Sequence, residues 1–134
     1  MRKPAHALLL LTYAAYISIG LPDTVFGVAW PSVRGGFGLS QSAIGALLAA
    51  AVGGYFLSGL LAGAVIAKIG VGGLLVASSA LVTIGLVGYA AAPSWSVFVP
   101  LGAVVGLGSG AIDSALNGYA ARNLSVRHVN WLHA

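Results

Sequence analysis

Residues 97–121 read VFVPLGAVVGLGSGAIDSALNGYAA. Crossing the hydrocarbon core of a bilayer takes about 20 apolar residues, so this stretch is long enough to span one. Two polar or small patterns run through it. Gly102, Gly106, Gly110 and Ser114 recur at steps of four, and so do Ser109, Asp113 and Asn117. At about 100° per residue the second set falls within an arc of about 80°. The first stripe lets a neighbouring helix approach closely. The second calls for water or a polar partner, because a charged side chain at mid-membrane costs at least about 2.5–3.5 kcal/mol on insertion scales. One helix therefore carries a face for packing beside a face for something wet.

The rest of the chain fits a membrane setting. Of its 134 residues, 59% are hydrophobic and only 6% charged, and the mean hydropathy is +1.00. Soluble domains carry about 25% charged residues, so no water-facing surface can be built from this composition. The expected fold class is an all-α integral membrane protein with four transmembrane helices plus the start of a fifth. The helices are expected at about 5–30, 43–67, 72–92 and 97–121, with a stub at 131–134, all within one partial N-terminal bundle spanning 1–134. "PSVRGGFGLSQS" (31–42), "KIGVG" (68–72) and "APSWS" (92–96) carry the loop chemistry between them. Ser40 or Ser42 is the expected N-cap of the second helix. Gly59 and Gly63 repeat the small-residue spacing there. Trp30, Trp95 and Trp131 fall at the expected boundaries, where indoles favour the interface. The apolar stretch after "MRK" exceeds the 7–15 residues of a signal-peptide core, so an uncleaved helix is expected.

Charge sets the expected orientation. With the N-terminus in the cytoplasm, the inside holds Arg2, Lys3, Lys68, Arg122 and Arg127, and the outside holds Arg34. That is a positive-inside arrangement. It predicts a multi-pass protein of the cell's inner (plasma) membrane.

The chain's two acids are Asp23 and Asp113. On the first helix Tyr16, Gly20, Asp23, Gly27 and Trp30 share a face, and Pro22 frees the carbonyl of Ser18 by removing one backbone hydrogen bond. A helix loosened in this way beside a carboxyl group is how discontinuous transporter helices are built around substrates. Capping of a half-helix after Pro22 is the structural alternative for Asp23. Burial disfavours the charged form of a carboxyl group, so one alternately exposed to water and sealed from it takes up and releases protons. The two acids are expected at different depths, about 10–12 Å apart at 1.5 Å per residue, as two sites along one path. The candidate proton-coupling or substrate-binding residues are therefore Asp23, Asp113, Asn117, Ser109 and Tyr16. "GLPDT…SVR" (20–34) is echoed by "GAIDS…SVR" (110–127). An inverted repeat of three helices each is one reading of the echo; coincidence is the other.

Other chemistries find no footing. The six basic residues, at expected helix ends, form no phosphate-tracking patch, so no nucleic-acid partner is expected. There is no cysteine, and His6, His128 and His133 lack metal-site spacing. Asn123-Leu124-Ser125 is a formal glycosylation sequon on the expected cytoplasmic side. No nucleophile–base pair or phosphate loop is visible, so neither an enzyme nor a cofactor is expected.

Gly63-Ala-Val-Ile-Ala67-Lys68-Ile-Gly70-Val71-Gly72 resembles the loop between helices two and three of the major facilitator superfamily, Gly-x-x-x-Asp-Arg/Lys-x-Gly-Arg/Lys-Arg/Lys. Gly63, Lys68 and Gly70 match. Ala67 stands where that family has Asp, and Val71 and Gly72 where it has basic residues, so the charge latch of the loop is not carried over. The acids on the first and fourth helices, and Asn130, Leu132 and His133 at the expected entry to a fifth, are similar to the fucose permease-like branch of sugar:proton symporters. The resemblance implies that Asp23 and Asp113 handle proton and sugar. It also implies a fold of about twelve helices in two halves, of which this chain would be an N-terminal piece requiring the missing remainder. The function implied is proton-coupled uptake of a small polar solute, such as a sugar, by alternating access. A non-transporting truncated fragment or assembly subunit is one alternative; a small four-helix multidrug exporter is another.

Overall fold

The computed structural model describes Gly20, Thr24 and residues 26–123. The first helix, α1, is followed over residues 26–37; upstream, Thr24 Oγ1 donates to the Gly20 carbonyl at 3.3 Å. α2 spans Ile44–Ala91 and is entered through a 3-10 turn at Gln41–Ala43. α3 spans Trp95–Asn123. All described elements are helical. Two of them, Gln41–Ala91 and Trp95–Arg122, are long and apolar enough to cross a membrane. The expected count of four helices and a fifth is thus not what is seen, and residues 131–134 lie outside the described residues.

Most of the expected first helix, 5–30, also lies outside the described residues; the merging of the second and third comes from one residue. α2 has 48 residues, and an unbroken rod of that length would reach about 72 Å. At Gly70 the backbone leaves helical space, with φ 74° and ψ 170°. That conformation is nearly restricted to glycine. It divides α2 into a first arm, 44–69, and a return arm, 71–91. Their contacts with α3 show that the arms run in opposite directions. Along the first arm, Leu47 lies against Gly102, Ala51 against Gly106 and Tyr55 against Gly110, both helices advancing together. Along the return arm the order reverses: Gly88 meets Leu101, Gly85 meets Val105, and Ser78 meets Gly108. The expected loop "KIGVG" is therefore a one-residue reversal, and Lys68 and Gly72 are helical.

The other expected breaks are also displaced. "PSVRGGFGLSQS" does not end α1 at Trp30, because Pro31 to Phe37 remain helical. The stop is a Schellman turn. Gly38 has φ 64°, its N–H donates to the Gly35 carbonyl (3.3 Å), and the Leu39 N–H donates to the Arg34 carbonyl (2.9 Å). Glycine at the left-handed position supplied the stop that the proline only suggested. Ser40 precedes the 3-10 turn, and neither it nor Ala43 before α2 makes a side-chain cap. The Ser40 hydroxyl pairs instead with that of Ser42 at 3.0 Å. α3 starts at Trp95, two residues before the expected Val97, with the N–H groups of Val97 and Phe98 on the Ser94 carbonyl.

Two kinds of packing hold the bundle. At the end where α3 begins, the rings of Phe26, Trp30, Phe37, Tyr89, Trp95 and Phe98 form one cluster. Tyr89 and Phe98 have centroids 4.4 Å apart, and Trp95 stacks on Phe98 at 5.6 Å. Trp30 is buried and donates from Nε1 to Gln41 Oε1 at 3.2 Å, and Arg34 reaches the same oxygen at 3.4 Å. Toward the Gly70 end the core is aliphatic and small: Ala62, Leu74, Ala111 and Ala115, with Val65, Ile66, Val71 and Leu75 against them. The outward faces of α2 are large and apolar, with Val52, Phe56, Leu60, Val76 and Val87 all more than 60% exposed. Such a surface suits lipid and not water.

Candidate functional site

The middle of α3 is held against the first arm by absence of side chains. A Cβ on Gly106 would run into the Ala51 carbonyl, and one on Gly110 would meet the Tyr55 carbonyl and Ser58 Oγ. The stripe read from the sequence is therefore a backbone-to-backbone seam. On the first arm, however, the small residues facing it are Gly54, Ser58 and Ala62, all buried. Gly59 is in ordinary contact with Ser114 of that stripe, at 3.5 Å, whereas Gly63 has nothing within 4 Å among the described residues. The spacing of Gly59 and Gly63 thus meets α3 at the first position and not at the second.

The close seam fixes where the polar stripe lies. Tyr55, on the first arm, donates its hydroxyl to Asp113 Oδ2 at 2.6 Å. Asn117, one turn further along α3, donates Nδ2 to the same oxygen at 3.0 Å. Among the described residues Oδ1 of Asp113 accepts no hydrogen bond, so the group keeps one oxygen for another partner. Ser109, one turn before Asp113, lines a cavity of about 250 Å³ between the first arm, α3 and the aromatic cluster. Phe26, Ala51, Tyr55, Tyr89 and Gly106 form other parts of its wall. Tyr55 thus both lines the cavity and donates its hydroxyl to Asp113.

Of the five candidate residues, Asp113 and Asn117 are joined by a hydrogen bond, and Ser109, one turn before Asp113, lines the cavity. Tyr16 and Asp23 lie outside the described residues. Tyr55 and Tyr89 were not singled out from the sequence. The signal was there for Tyr55: a phenol in the middle of an apolar span needs a partner for its O–H, and few polar side chains are on offer. The loop residues Gly63, Lys68 and Gly70 form no common site; Lys68 is exposed on the helix just before the reversal. Among the described residues no group of His, Asp and Glu has the grouping of a metal site.

Two helices of membrane length, sheathed in apolar side chains, with a carboxyl group on one of them, suggest a membrane protein. The sequence profile of the Major Facilitator Superfamily matches residues 12–130, and the chain belongs to that superfamily. Its members are transporters, not enzymes, that move small solutes across a membrane, often together with ions. No curated protein and no solved structure shows a significant match to the chain.

Proposed function

We propose that the chain serves proton-coupled uptake of a small polar solute, a sugar being the favoured class, by alternating access. The observation that carries this reading is the convergence of Tyr55 and Asn117 on one oxygen of Asp113, with Tyr55 also lining a cavity of about 250 Å³. In this reading Asp113 carries the proton on Oδ1 while its other oxygen stays anchored. Ser109 and the tyrosine hydroxyls offer hydrogen bonds to solute hydroxyls, and the rings of Phe26, Tyr55 and Tyr89 offer apolar faces to a sugar ring. Asp23 and Tyr16 belong to the second station of the same path, and the fucose permease-like branch is the one this reading favours. Arg34 lies at the aromatic end and Lys68 and Arg122 at the opposite end, which supports a cytoplasmic N-terminus. The protein then resides in the cell's inner membrane, with the remainder of a two-halved transporter closing the cavity.

The test is accumulation in proteoliposomes under an imposed pH gradient, with radiolabelled L-fucose, D-galactose and D-glucose as probes. Wild-type protein is expected to concentrate at least one of them. Asp113→Asn, which keeps the size and hydrogen-bonding of the side chain but cannot carry the proton, should lower that accumulation at least tenfold while insertion is retained. Undiminished accumulation by the Asn variant removes Asp113 from the coupling, and failure of every hexose removes the sugar.

A further inference from the structure

Tyr55 belongs to two places at once. Its ring is part of the cavity wall, and its hydroxyl is on Asp113. It comes from the first arm, whereas Asp113, Asn117 and Ser109 all come from α3. A phenol has a single O–H to give; it can go to Asp113 or to something in the cavity, not to both at full strength. The side chain is 42% exposed. Asn117 remains on Oδ2 in either case, so the carboxyl group keeps its place when the tyrosine turns.

We propose that Tyr55 is the positioning residue that reports occupancy of the cavity to Asp113. This rests on the coupled-transport reading above. A hydroxylated solute in the cavity accepts the Tyr55 O–H, and Asp113 keeps Asn117 as its donor on Oδ2. A proton drawn from the aqueous side is then held on Oδ1, so solute and proton enter together. Departure of the solute returns the Tyr55 O–H to Oδ2, and the proton leaves Oδ1 to water. The return arm meets α3 near this level through Leu74, Val71, Leu75 and Ser78, none of which titrates. Tyr55 is the titratable group facing Asp113 from the first arm; Tyr119 and Arg122 lie further along α3.

The experiment compares wild type, Tyr55→Phe and Asp113→Asn in the same proteoliposomes, with the hexose that the wild type accumulates. Tyr55→Phe keeps the ring that walls the cavity and removes only the hydroxyl. Exchange of labelled for unlabelled hexose without a gradient should stay within about twofold of wild type, while gradient-driven accumulation should fall at least tenfold. Infrared difference spectra give an independent readout. Hexose should shift the carboxyl band that Asp113→Asn abolishes, and should leave it unmoved in Tyr55→Phe. Full accumulation by Tyr55→Phe, with none by Asp113→Asn, overturns the role of Tyr55 and leaves the transport reading standing. Equal loss of exchange and accumulation, with the band still responding, makes Tyr55 only a wall of the cavity and also overturns the proposal. If Asp113→Asn accumulates normally, or no hexose enters with wild type, the underlying reading falls and this inference falls with it.

Discussion

Gly106 on α3 and Gly63 on the first arm of α2 belong to sequence patterns of the same kind, small residues four apart in an apolar helix. In the fold they share nothing. Gly106 is pressed on the Ala51 carbonyl, whereas Gly63 has no atom of the described residues within 4 Å of the place where a Cβ would stand. The same holds for Gly70, yet its φ of 74° sets it apart from both. One residue type thus performs three tasks: close approach, a reversal of the chain, and none that the neighbouring structure requires. Spacing tells which residues share a face; what that face meets is decided by the partner.

Substitution separates the three. The largest effect is expected at Gly106. Leucine there has no space to enter, since the obstruction is backbone and not the end of a flexible side chain. Overpacking in an interior already costs about 1–3 kcal/mol where side chains can give way, and here they cannot. Gly106→Leu should therefore separate α3 from the first arm, seen as loss of a monodisperse peak in detergent and of protection at Ala51–Tyr55 in hydrogen exchange. A monodisperse, protected variant would mean that the seam is not what holds these helices together.

Gly70→Ala comes next. The cavity and the seam are untouched, and the added methyl meets nothing. The cost is conformational, about 1–3 kcal/mol for a non-glycine residue held in that region. A lower midpoint of thermal unfolding is expected, with the polar cluster intact. If Ala is tolerated without loss, the return arm must be able to reverse through another backbone path.

How much of this was legible follows from the same contrast. The apolar spans, the Gly102–Gly106–Gly110 seam and the polar stripe of Ser109, Asp113 and Asn117 are properties of single helices, and periodicity within one helix is enough to read them. The Schellman stop at Gly38 and the reversal at Gly70 fall inside the expected breaks 31–42 and 68–72, but those breaks are narrower than expected, because Pro31 and the "KIGVG" composition look like longer interruptions than one glycine with positive φ makes. Tyr55 was missed for a deeper reason. Its importance lies in a hydrogen bond to a residue 58 positions away, and nothing in the local pattern of the first arm encodes that meeting. The aromatic cluster shows the same limit: Trp30 and Trp95 were read as interfacial anchors, but their rings lie 5.9 Å apart and tie α1 to α3.

The smallest effect, of opposite sign, belongs to Gly63. It is helical, exposed and without a neighbour at its Cα. Alanine lowers the conformational freedom of the unfolded chain and favours the helix by about 0.5–1 kcal/mol over glycine. Gly63→Ala should therefore raise the thermal midpoint slightly if the described helices account for all that this position touches. Destabilisation would reveal a partner pressed on that face in the assembled membrane protein, as Ala51 is pressed on Gly106. The sign of a single methyl thus distinguishes a glycine that lipid covers from one that holds a second seam, which is the distinction that spacing alone left open.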